Sequence, residues 1–137
     1  MGLAYARLRL VNARRPDLAT MEVEALADTR AILLCIPEHV ALQLQLDEPE
    51  KREVTVADGS RQVVPYMGPI LVSLANRQCF AGAMVMGEQV LLGAVAMEDM
   101  DLVIHPRTNQ VIPKPANPNI AGPIAMGMRQ CAGQGVR

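Results

Sequence analysis

Along much of this chain apolar side chains recur at every second position, the repeat of an extended strand whose successive side chains face opposite sides. Ala6, Leu8 and Leu10 alternate with Arg7 and Arg9. After a turn at Arg14-Arg15-Pro16-Asp17, Met21, Val23 and Ala25 alternate with Glu22 and Glu24. These segments predict an antiparallel hairpin with one buried face. Its outer face sets arginines against glutamates, worth a few tenths to about 1 kcal/mol per pair. Ile32 to Ile36 is a continuous apolar run, the pattern of a fully buried strand. Pro37 to Leu44 predicts a short helix, with proline in its first turn and Glu38 at the positive end of the helix dipole. Val40 and Leu44 share one face of it, which leaves His39 solvated.

Turn residues divide the rest into further strands. Residues 48–52 predict a solvated turn. Residues 53–57 and 61–66 flank Asp58-Gly59-Ser60, a strong hairpin signal because both turn positions tolerate positive φ. Residues 70–74 and 78–86 predict another hairpin around Ala75-Asn76-Arg77. Val90-Leu91-Leu92-Gly93 is a short strand closed by glycine, Ala94 to Met100 is helix-compatible, and Val103-Ile104 and Val111-Ile112 bracket a turn. Many short strands with one or two short helices predict a compact all-β barrel or sandwich. From about Pro113 the composition shifts to proline and glycine, so residues 1–113 are expected to form the domain and residues 114–137 a loose tail.

Composition narrows the function. A length of 137 residues with 50% hydrophobic content fits one domain with a real core. Thirteen Lys and Arg against fourteen Asp and Glu leave a net charge of -1, without the basic excess of a nucleic-acid binder. With two Tyr, one Phe and no Trp, base-stacking platforms are not expected. Cys35, Cys79 and Cys131 stand far apart, as do His39 and His105; buried thiols are expected, and no metal or cofactor. No stretch approaches a membrane span and no leader pattern opens the chain, so a soluble cytoplasmic protein without membrane partners is expected.

Leu26-Ala27-Asp28-Thr29-Arg30-Ala31 interrupts the strand pattern with an acid, a hydroxyl and a base between two apolar strands. A carboxylate at the end of a buried strand must be solvated or hydrogen-bonded. Further on come the hairpin at Ala57-Asp58-Gly59-Ser60 and then Leu91-Leu92-Gly93-Ala94 before a helix containing Met97-Glu98-Asp99-Met100. This ordered set resembles the retropepsin-like aspartic proteases, the bacterial single-domain members of clan AA. The family pattern is an apolar strand, Asp-Thr-Gly-Ala, a second apolar strand, Ile-Pro with a short helix, a flap hairpin, and Leu-Leu-Gly with a helix. The resemblance covers roughly residues 5–113.

The resemblance implies a small closed β-barrel and an aspartic endopeptidase that binds a peptide or protein substrate. Such enzymes activate water between two carboxylates that share one proton, one acting as base and the other as acid. One chain holds one such loop, so the resemblance implies a homodimer with Asp28 supplied twice on the two-fold axis. Thr29 would reach across the axis to the partner loop. Ala31 would complete the active-site loop, with Leu91, Leu92 and Gly93 as its second support. The flap tip at Asp58, Gly59 and Ser60 would close over an extended peptide. Ala31, Ile32, residues 56–63 and residues 90–92 are small or apolar, which implies hydrophobic side chains flanking the cut bond.

One departure stands out. The family has glycine where this chain has Arg30, which brings a permanent positive charge beside Asp28. It favours full ionisation of the acid pair, a state with no proton to donate. Three readings stay open: a structural ion pair in an inactive dimer that binds extended peptides, an Arg30 that points away and leaves some activity, and a substitution of an active, glycine-bearing parent. A monomeric protein would speak for an unrelated barrel, because a lone Asp28 forms no dyad.

Overall fold

A computed structural model describes residues 3–122 of the chain. It contains nine strands and two short helices: β1 (Ala4–Asn12), β2 (Met21–Ala27), β3 (Leu34–Ile36), α1 (Glu38–Leu44), β4 (Asp47–Thr55), β5 (Arg61–Leu74), β6 (Arg77–Val85), β7 (Val90–Leu92), α2 (Ala94–Asp99), β8 (Leu102–His105) and β9 (Gln110–Pro113). The strands form one sheet in the order β4-β5-β6-β3-β7-β2-β1-β9-β8, and β1 also pairs with β5. That extra pairing closes β5, β6, β3, β7, β2 and β1 into a six-stranded barrel, the closed all-β architecture with two helices expected from the sequence.

The period-two pattern survives in the structure. In β1, Ala4, Ala6, Leu8, Leu10 and Asn12 are buried while Tyr5 and Arg7 are exposed. The β1/β2 register places Arg7 opposite Glu24 and Arg9 opposite Glu22. The barrel interior is aliphatic, with Leu8, Leu10, Ile36, Ile70, Val72 and Leu92 all fully buried. Pro37 precedes α1, whose Val40, Ala41 and Leu44 face the core, and His39 is solvated. Asn12 is a buried polar residue with a clear role: its side-chain amide donates to the carbonyls of Leu44 and Gln45 at 3.0 and 2.9 Å, satisfying the end of α1. Cys35 and Cys79 are buried free thiols, and Cys131 lies outside the described residues.

Three local readings need correction. Residues 48–52 are not a turn but part of β4, which runs through them to pair with β5. Charged side chains and a proline are tolerated there because β4 is an edge strand, bonded to β5 alone, and Pro49 falls within a register shift between Asp47 and Glu50. Residues 61–66 and 70–74 are one strand, β5, irregular between Met67 and Ile70 where the Gly68–Pro69 peptide is cis. The apolar run 32–36 is a strand only from Leu34; Ile32 is 66% exposed and belongs to the Asp28 loop.

Residues 114–122 are tied to the body. The Lys114 amide donates to the Asp101 carbonyl at 2.9 Å, and the Asp101 carboxylate accepts from the Asn117 side chain at 2.6 Å and the Gly122 amide at 2.9 Å. Asn76 and the buried Arg77 donate to the carbonyls of Pro118 and Asn117. The remainder of the expected tail, residues 123–137, lies outside the described residues. Among the described residues no helix is long and apolar enough to cross a membrane, and no group of three His, Cys, Asp or Glu is placed to hold a metal ion.

Candidate active site

The Asp28 loop begins where β2 ends. β2 runs parallel to β7, with Ala25, Leu26 and Ala27 beside Val90, Leu91 and Leu92. The Asp28 amide continues that ladder, donating to the Leu92 carbonyl at 3.0 Å. The chain then turns, and the Ala31 amide donates to the Asp28 carbonyl at 3.0 Å. On the other side of β7, Leu91 pairs with Cys35 of β3. The short strand thus holds the strands on either side of the loop.

The second support comes from Gly93 and α2. The Ala94 and Val95 amides, unpaired within the helix because they lie in its first turn, donate to the carbonyls of Ala31 and Ile32 at 2.8 and 3.1 Å. Those carbonyls crowd Gly93. A Cβ there would stand 2.7 Å from the Ile32 and Leu33 oxygens and 2.8 Å from the Ala31 oxygen, so only glycine fits without a shift. Leu92 and Gly93 are buried and Leu91 is half-buried.

Asp28 itself is partly accessible, with 29% of its side chain exposed, whereas Arg30 is 91% exposed. The carboxylate Oδ1 accepts from two groups of Arg30: the backbone amide at 3.0 Å and the side-chain Nε at 3.2 Å. Arg30 therefore folds back onto the acid. The Arg30 side chain, then its backbone amide, hold the Asp28 carboxyl below the usual carboxylate range against the opposing effect of desolvation. Thr29 is exposed on the same turn.

The hairpin tip forms a separate unit. Gly59 has φ +88°, the left-handed conformation that favours glycine, and a Cβ there would meet open space. The Ser60 amide donates to the Asp58 carboxylate at 2.8 Å, and the Val56 amide donates to the Ser60 carbonyl at 2.9 Å. The structure thus joins Asp28, Arg30, Ala31, Leu91, Leu92 and Gly93 in one junction, while the bonds made by Asp58, Gly59 and Ser60 stay within the hairpin.

Cys35 is a neighbour that sequence reasoning missed. Burial pushes its thiol pKa up, and the negative charge of Asp28 adds to the rise. Its apolar surroundings were legible, but its proximity to the acid depends on β3 and β2 both flanking β7, which one sequence does not reveal.

No family model and no curated protein matches the chain. Among solved structures, the retroviral protease-like domain of Ddi1 from Leishmania major is similar over 83% of this chain and 91% of that one, at 14% identity and a TM-score of 0.53. The Legionella pneumophila protein Lpg0085, of unknown function, matches 70% of this chain and 86% of its own at 14% identity and a TM-score of 0.39. The first likeness supports a retropepsin-like fold.

Proposed function

We propose that the Asp28 loop is half of an aspartic-endopeptidase centre, completed by the same loop of a second protomer at a two-fold axis. The observation that carries this reading is the Asp28 junction itself: an acid set on a loop between β2, β7 and α2 in a retropepsin-like barrel. Two such carboxylates would share one proton. The ionised one would take a proton from water as its oxygen attacks the peptide carbonyl, and the protonated one would donate towards the developing oxyanion. Thr29 would reach the partner loop, and the hairpin ending at Asp58, Gly59 and Ser60 would close over the peptide.

Arg30 acts against this chemistry. Its Nε and backbone amide favour the ionised carboxylate, in each of two protomers. A doubly ionised pair lacks the proton the second acid must give, so turnover in the native sequence is held down. The same contact favours a second reading, a catalytically inactive dimer that binds extended peptides by strand pairing.

Cleavage of a peptide library at acidic and neutral pH tests both. The native chain is expected to cleave slowly, Arg30→Gly at least tenfold faster, and Asp28→Asn not at all. Binding of peptides without cleavage by either the native chain or Arg30→Gly would favour the second reading. A monomer by light scattering would overturn both.

A further inference from the structure

β1 is bonded along both edges for much of its length, but Arg7 falls in a gap. The Tyr5 amide donates to the Asn109 carbonyl at 2.9 Å, on the side away from β2. Backbone groups alternate sides along a strand, so those of Arg7, Arg9 and Val11 face away from β2 as well. Tyr5 pairs there with Gln110 of β9, and Arg9 and Val11 pair with Ser73 and Leu71 of β5. At Arg7 neither pairing continues. Continued in its parallel register, β9 would offer the Arg7 carbonyl the amide of residue 113, but Pro113 has no N–H. Continued in its own register, β5 would set Ala75 opposite Arg7, but the chain turns away at Ala75, where φ is +53°.

The gap is a cavity of about 370 Å³ whose lining includes Arg7, Arg9, Glu24, Ala75, Gln110 and Pro113. Arg7 and Arg9 lie two residues apart on the outer face of β1. Arg9 is anchored by an Nη2 bond to the Ala75 carbonyl at 2.8 Å, which leaves further guanidinium donors at the rim. Among the lining residues Glu24, opposite Arg7 in the register, offsets one of the two positive charges; Glu22, opposite Arg9, does not line the cavity. The cavity thus combines a backbone acceptor with a net single positive charge.

We propose that this gap binds the C-terminal end of a peptide. The last residue would pair with the β1 edge, its amide donating to the Arg7 carbonyl, while its carboxylate takes donors from the Arg7 and Arg9 guanidiniums. A peptide terminus matches both features, whereas a simple anion uses only the charge and a mid-chain peptide only the edge. The site needs neither Asp28 nor a second protomer.

The test titrates the full chain with N-acetyl-Ala-Leu-Ala as free acid, with its C-terminal amide, and with acetate, followed by NMR shifts of backbone amides. The free acid is expected to bind at least tenfold more tightly than either control, with shifts centred on residues 5–9 and 110–112. Arg7→Gln and Arg9→Gln should each weaken it at least threefold. Pro113→Ala, which restores a competing donor, should weaken it too, and Asp28→Asn should leave it unchanged. Equal binding of the amide or of acetate would overturn the proposal. So would shifts centred elsewhere, indifference to Arg7→Gln or Pro113→Ala, or sensitivity to Asp28→Asn.

Discussion

Arg30 grips Asp28 twice, once through the backbone and once through the side chain, and the two contacts can be separated. Arg30→Gly keeps the backbone amide and removes the guanidinium, so the carboxyl titration midpoint of Asp28 should rise towards its ordinary value. A carbon-detected NMR titration measures it, and an unchanged midpoint would show that the side chain is idle. The sign for stability follows. The lowered folded-state value means the contact stabilises at pH above the unfolded carboxyl's midpoint, and the benefit is lost as pH falls through the folded one. Cys79 gives a second residue-scale prediction. Burial, then the charge of Asp99, pushes its thiol pKa up to about 11, so iodoacetamide at pH 8 should leave it unmodified in the native protein and label it after unfolding, read by mass spectrometry. At this scale Asp28 was legible, because an acid broke an apolar alternation. The direction of Arg30 was not, because it depends on the backbone path of the turn between residues 28 and 31.

The elements around the loop depend on one residue without a side chain. α2 can approach the Asp28 loop because Gly93 admits three carbonyl oxygens where a Cβ would stand. Gly93→Ala should cost about 1–3 kcal/mol, the usual range for overpacking, seen as a lower denaturant midpoint. Most elements announced themselves by period and turn residues. Asp-Gly marked the β4/β5 hairpin, and Ala75-Asn76 marked the β5/β6 turn. The first part of β4, through residue 52, was missed because its charges and proline look like a turn when no partner strand is in view; pairing with β5 on one edge overrides that preference. Ile32 was misplaced for the opposite reason. Its hydrophobicity suggested burial, but the carbonyls of Ala31 and Ile32 are committed to α2 and the chain there cannot join the sheet.

For the molecule as a whole, the all-β class was legible, but the single long strand β5 read as two and strand order was not legible. That β3 lies between β6 and β7, and β7 between β3 and β2, rests on pairings between segments far apart in sequence. The barrel core is shared by every strand of the ring. Leu10 is fully buried on β1, and Leu10→Ala should cost about 2–5 kcal/mol, read from denaturant unfolding. The expected tail was legible as a composition change, but its attachment was not, since Asp101 gathers Asn117 and Gly122 through geometry that no local pattern encodes. The pairing of β1 with β5 has a kinetic consequence. Arg9 meets Ser73 and Asn12 meets Ile70, so this seam joins the first strand to one formed much later in the chain. Local hairpins can zip early, but the seam must await a long loop closure, which places folding in the slower, milliseconds-to-seconds regime of β-barrels rather than that of helical bundles. Until it forms, both strands present bare edges. The nascent protein is therefore most exposed to intermolecular strand pairing just before its ring is complete.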